Sequence, residues 1–109
     1  PPGITDAAVA AYSAPLRLPG AGHALVETAR QIIPKDLEAI SSQYPKLKMP
    51  SLIIWGSHDR IVPLETGRRL NQALPNSRLV IIPEGGHIPQ EETPDKVLPE
   101  ILQFLKALR

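Results

Sequence analysis

Residues 49–63 read MPSLIIWGSHDRIVP. Pro50 and Gly56 bracket a short apolar run, SLIIW (51–55), whose form returns as SRLVIIP (77–83). Continuous apolar runs of this length suit parallel strands buried on both faces, because a strand with one wet face would alternate. Between them, PLETGRRLNQAL (63–74) sets Leu64, Leu70, Ala73 and Leu74 near one helical face. Pro63 takes a tolerated first-turn position and Pro75-Asn76 stops the helix. Strand, helix and strand in that order imply a parallel connection. The last segment, TPDKVLPEILQFLKALR (93–109), carries Val97, Leu98, Ile101, Leu102, Phe104, Leu105 and Leu108 on one broad face. Pro99 has no N–H to give to the preceding turn, which predicts a kink or a helix that starts only near Leu98.

Upstream of this βαβα pattern, residues 1–45 hold no strand-like run. They show three short helical patterns, Thr5 to Ser13, Ala21 to Ile33 and Lys35 to Tyr44, each closed by a proline. Thr5 or Asp6 caps the first, and Leu25, Ala29, Ile32 and Ile33 form a stripe on the second. The expected class is α/β, with a helical segment over 1–45 and a βαβα segment over 46–109. Two apolar strands alone leave open edges that template association. The pattern therefore reads as one end of a larger parallel sheet, and a homodimer through the exposed edge is expected if the chain stands alone.

Composition narrows the function classes. At 109 residues the chain suffices for one small domain. Twelve basic against eleven acidic residues give a net charge of +1, which supplies no field for nucleic acid or an anionic membrane. The absence of cysteine removes disulfides, thiol catalysis and thiolate-ligated metals. No apolar run reaches the roughly 18 residues that span a bilayer. The chain opens PPGITD without a Met, which suggests a fragment or processed product whose N-terminal signals are not visible; a cytoplasmic location is the default expectation. Thirteen prolines in 109 residues is over twice the usual share of roughly 5%, and they punctuate the elements above.

The stretch WGSHD (55–59) places the three residue types of a hydrolytic triad side by side, but three consecutive side chains cannot surround one imidazole. A better pair comes from topology. In open parallel sheets, ligands and reacting groups gather at the carboxyl ends of the strands. Asp59 follows the first strand and His87 follows the second at equivalent positions, which brings them to one edge of the sheet. There an Asp can hold an imidazole in one tautomer and stabilise the imidazolium. Gly85-Gly86 offers backbone conformations closed to other residues, a means of aiming the ring.

Each of these residues has a plainer role open to it. Asp59 alone would cap the helix after Pro63, and His87 would be a local hydrogen-bonding turn residue. Ser57 and His58 read as solvated turn residues, His23 as a surface or packing side chain, and Trp55 as core at a strand end. His58, Asp59, Glu84 and His87 include zinc-binding residue types, but their spacing fits no zinc motif, and no metal or other cofactor is implied.

The stretch MPSLIIWGSHDRIVP together with LPNSRLVIIPEGGHIPQEETPDKVLPEILQFL (74–105) resembles the C-terminal part of the α/β-hydrolase superfamily, in its cap-bearing esterase, lactonase, epoxide-hydrolase and dehalogenase branch. The matching positions are Gly56, Asp59, Val62-Pro63, Leu74-Pro75, Gly86-His87 and Glu92-Thr93-Pro94, within residues 48–108. Residues 1–45 look like the end of that family's helical cap. The resemblance implies the last two parallel strands of the sheet, with Asp59 as triad acid, His87 as general base and Glu92 as a support of the last helix start. It also implies what is missing. The family's nucleophile sits in a Gly-x-Ser-x-Gly elbow or an Asp version of it, and the chain order is nucleophile, acid, base. None of Ser13, Ser41, Ser42, Ser51, Ser57 or Ser77 has that setting, and the oxyanion hole is absent with it. The expected function is thus the C-terminal portion of a hydrolase acting on a small ester, lactone or related electrophile, inactive as a 109-residue chain. A non-catalytic α/β-hydrolase-like ligand-binding or interaction protein is the alternative.

Overall fold

The computed structural model describes residues 4–108, so the PP of the PPG start and its glycine lie outside the described residues, as does Arg109. The chain divides into two compact units, Pro1–Ser41 and Ser42–Arg109.

The first unit is helical. Helix α1 (Asp6–Ser13) begins where Thr5 accepts the Ala8 N–H on its hydroxyl at 3.1 Å, the cap expected from the sequence. A 3₁₀ turn, Ala14–Arg17, follows and contains Pro15. Helix α2 (Ala21–Gln31) is entered through Gly20 at φ 83°, a left-handed conformation that suits glycine. It ends two residues short of the expected Ile33. Pro34 disfavours helical backbone at the residue before it, which draws the end back. Helix α3 (Leu37–Ser41) is likewise shorter than the pattern over 35–44, whose tail folds instead as a 3₁₀ turn at Tyr44–Lys46 around Pro45. None of these helices buries a residue, and the expected stripe residues Leu25, Ile32 and Ile33 are exposed.

The second unit has the βαβα order read from the sequence. Strand β1 (Ser51–Gly56) pairs in parallel with β2 (Ser77–Ile82), in a register running from Ser51 opposite Ser77 to Gly56 opposite Ile82. Helix α4 (Leu64–Ala73) makes the crossover, with Leu64, Gly67, Leu70 and Ala73 on its inner side. Its end is fastened to β2 by the Ser77 hydroxyl, which donates within 3.0 Å of the Asn71 and Leu74 carbonyl oxygens. A short helix α5 (Pro89–Glu92) leads into α6 (Pro94–Ala107). The core gathers Ile53, Ile82 and Val97 from β1, β2 and α6.

Of the kink or late start expected for α6, the late start is corrected: the helix begins at Pro94 and runs through Pro99. Pro94 needs no donor at the first position, and the loss at Pro99 is confined to one bond to the Asp95 carbonyl. The broad apolar face also divides in two. Val97 is buried and Ile101 and Phe104 are half-buried, whereas Leu98, Leu102, Leu105 and Leu108 are exposed. Among the described residues, no helix is long and apolar enough to cross a membrane.

Candidate active site

The loop leaving β1 continues the sheet beyond its last residue. The Ser57 N–H donates to the Ile82 carbonyl at 3.0 Å and the His58 N–H to the Gly85 carbonyl at 2.9 Å. The Ser57 hydroxyl accepts the Glu84 N–H at 2.9 Å. Ser57 is therefore half-buried and ties the two strand-end loops together, in contrast to the solvated turn residue expected; His58 is exposed, as expected, though its backbone is engaged. Glu84 takes φ 61°, a left-handed conformation uncommon for a residue with a side chain.

This junction leaves little space. A Cβ on Gly56 would run into the carbonyl oxygens of Gly85 and Gly86, backbone atoms that cannot swing aside. A Cβ on Gly86 would lie 2.6 Å from both carboxylate oxygens of Glu92. The Gly85-Gly86 pair was expected to supply unusual backbone angles, yet the left-handed residue of this turn is Glu84. At Gly86 close approach is the issue, since a side chain there would have to push the Glu92 carboxylate aside.

Beyond the junction, Asp59 Oδ1 accepts the N–H groups of Ile61 and Val62 at 2.8 and 2.9 Å. This local turn fixes the carboxylate. It also displaces the capping alternative, because α4 is preceded by Pro63 and has no side-chain cap. The Trp55 indole N–H donates to the Val62 carbonyl at 3.1 Å, and its ring lies against Gly67 of α4, where a Cβ would come within 2.7 Å. Trp55 is half-buried and not in the core as expected; it packs on α4 and pins the far end of the Asp59 turn.

The second Asp59 oxygen, Oδ2, lies 2.9 Å from His87 Nδ1. The two residues placed together by strand topology are in hydrogen-bond contact. The Asp59 side chain is 5% exposed and that of His87 48%. Burial pushes the Asp59 carboxyl up, but hydrogen bonds from His87, Val62 and Ile61 and the attraction of the imidazole outweigh it, holding the carboxyl below its ordinary value of 3.8. An ionised carboxylate only accepts, so the Nδ1 of His87 carries the proton in this bond, and in the neutral ring Nε2 then keeps its lone pair. The pair opens onto a cleft of about 180 Å³ lined by Ile54, Trp55, Asp59, Val62, His87 and Pro89. A larger hollow of about 460 Å³ lies at the other end of the strands, by Ser51, Ser77 and Phe104. It contains neither member of the pair, and the strand carboxyl ends are where such folds hold their chemistry.

His58, Asp59, Glu84 and His87 do not assemble as a metal site: among the described residues, no group of three or more His, Asp or Glu side chains is placed to hold an ion. His23 lies on α2 in the other unit. Glu92, expected to support the start of α6, instead turns its carboxylate to the His87 loop, accepting from Gly86 at 2.7 Å and Ile88 at 3.1 Å. The α6 start is bonded through the Thr93 carbonyl. Sequence reasoning missed both this contact and that of Ser57. No capping-box signal pointed to Glu92, which stands four residues beyond Ile88, one past the three-residue spacing of that motif.

Known proteins share this arrangement of elements. A family model described as alpha/beta hydrolase fold matches residues 13–94. The uncharacterized hydrolase YugF of Bacillus subtilis is 45% identical over 71 residues, which cover 65% of this chain and 25% of that protein. The structure of a thermophilic esterase from Thermogutta terrifontis superposes with a TM-score of 0.60 at 33% identity, over 62% of this chain and 25% of that one. MGS-MChE2, an alpha/beta hydrolase enzyme from a sediment metagenome of the Mar Chica lagoon, gives a TM-score of 0.68 at 25% identity, over 96% of this chain and 46% of that one. The chain spans about a quarter of the length of the curated relatives it matches. With a family model covering residues 13–94 and a parallel β1–β2 pair joined by α4, the chain belongs to the alpha/beta hydrolase fold family.

Proposed function

We propose that the chain is the acid- and base-bearing C-terminal part of an α/β-fold hydrolase that acts on a small ester, lactone or related electrophile. The observation that carries this reading is the 2.9 Å contact between Asp59 Oδ2 and His87 Nδ1 at the carboxyl ends of two parallel strands. The esterase named among the similar structures supports the ester class.

In this reading a nucleophile supplied by residues outside the chain attacks the electrophilic carbon. His87, through Nε2, first removes the nucleophile's proton, passes it to the leaving group as the covalent intermediate forms, and then, neutral again, deprotonates the water that releases that intermediate. Asp59 keeps the ring in the Nδ1–H tautomer and stabilises the imidazolium that forms. With an Asp nucleophile there is no proton to remove, and His87 serves the water step alone. The chain by itself is inactive, since its dyad has no nucleophile to activate.

The test is Asp59→Asn in the intact enzyme. Neutralising a triad acid lowers kcat by about 10⁴ while leaving geometry in place, so steady-state ester hydrolysis should fall by that order with the fold retained. An unchanged rate would reduce Asp59 to a turn-forming residue.

A further inference from the structure

Glu92 has no role in the chemistry above, yet its geometry is specific. Oε2 accepts the Gly86 N–H at 2.7 Å and Oε1 accepts the Ile88 N–H at 3.1 Å. These are the residues on either side of His87, so one carboxylate grips the backbone on both sides of the base. The missing side chain at Gly86 is what allows the approach, because a Cβ there would meet both oxygens. Hydrogen bonds to an ionised acceptor are roughly twice as strong as neutral ones, and two of them on one rigid carboxylate oppose rotation of the segment between.

The grip is itself anchored. Glu92 is half-buried at the end of α5, whose first residue, Pro89, is buried, and Thr93 closes that turn through its N–H to the Pro89 carbonyl at 2.9 Å. Among the described residues, no lysine or arginine forms an ion pair with Glu92. Its charge is directed to the loop. On the opposite side, Ser57 and His58 hold Glu84 and Gly85. The loop is thereby fixed at residues 84, 85, 86 and 88, leaving His87 as a side chain on an immobilised backbone.

We propose that Glu92 is the positioning residue of the dyad: by binding the N–H groups of Gly86 and Ile88 it sets the His87 backbone so that Nδ1 meets Asp59 and Nε2 remains the base. This rests on the Asp59–His87 reading given above. It adds a third group, which touches neither the reacting atoms nor the imidazole and acts only through the peptide frame. An imidazole released from that frame loses its aligned acceptor and reverts to the Nε2–H tautomer that free histidine prefers. Such a ring cannot accept a proton at Nε2.

The tautomer can be read directly, without an activity assay. In the full chain labelled with ¹⁵N at histidine, the ring-nitrogen shifts of His87 at a pH where the ring is neutral should report Nδ1–H, with His23 and His58 as internal references. Glu92→Ala should lose that form in favour of Nε2–H while the amide fingerprint of β1 and β2 is kept. Glu92→Gln retains one accepting oxygen and should fall between the two. An unchanged Nδ1–H signal in the folded variants would overturn the role of Glu92 while leaving the dyad standing. A wild-type His87 that is not Nδ1–H would overturn the dyad and this proposal together. Loss of the strand fingerprint in both variants would also overturn it, since Glu92 would then hold the fold and not one ring.

Discussion

Asp59 divides its two oxygens between local and distant partners, Oδ1 to the N–H groups of Ile61 and Val62 and Oδ2 to His87. The lowered pKa turns this into a pH dependence. A carboxyl whose folded pKa lies below its unfolded value adds stability that is fully present above the unfolded value and is lost as pH falls through the folded one. For Asp59 that window opens near its ordinary value of 3.8 and extends below it. Denaturant melts should therefore show wild type more stable than Asp59→Asn above about pH 5, with the two converging as the pH drops below that window. A gap that widens on acidification would mean that the carboxyl is not held ionised. Asp59 and His87 were legible in the sequence because topology alone brings strand-end residues together. Ser57 and Glu92 were not, because their roles depend on which backbone N–H groups come within reach, and that follows from the path of the turn.

At the scale of elements, the site is a property of how closely two strand-end loops approach. Gly56 closes β1 against the carbonyl oxygens of Gly85 and Gly86, and the first of these cannot move without breaking the bond from His58. Gly56→Ala should destabilise the chain by about 3 kcal/mol or more, at or above the upper end of ordinary overpacking costs. Thermal or urea unfolding checks it, and a loss under about 1 kcal/mol would show that the loops can separate cheaply. The strands, the crossover helix and their order were readable from apolar runs and proline punctuation. The division of α6 into a packed and an exposed side was not. Leu98 and Val97 are equally apolar, and only the position of the sheet decides that one is 55% exposed and the other 3%.

For the molecule as a whole, the two units differ in what they bury. The helices α1 to α3 bury nothing, and among the described residues the buried hydrophobic side chains are Ile53, Ile82 and Val97 of the second unit. Among the described residues that unit's sheet has two strands, and β1 and β2 each keep one edge with no strand beside it. Open apolar edges associate unless covered. Sedimentation of the isolated chain at tens of micromolar should give species above the 11.9 kDa monomer, and a monodisperse monomer with a sharp cooperative melt would show that the edges are tolerated. The sequence showed two apolar runs and so two strands. It could not disclose how few side chains would be enclosed, because that depends on which faces find a neighbour.

The ladder that Ser57 and His58 carry past the end of β1 has a consequence for amide exchange. Their N–H groups are held by the carbonyl oxygens of Ile82 and Gly85, one of them the end of a core strand. Protons in such bonds leave only when the strands themselves part. The two residues beside Asp59 should then exchange with solvent as slowly as the centre of the sheet, although His58 is exposed. Asp59 and His87 would keep their alignment through every smaller fluctuation of the surrounding loops and lose it only in openings that separate β1 from β2.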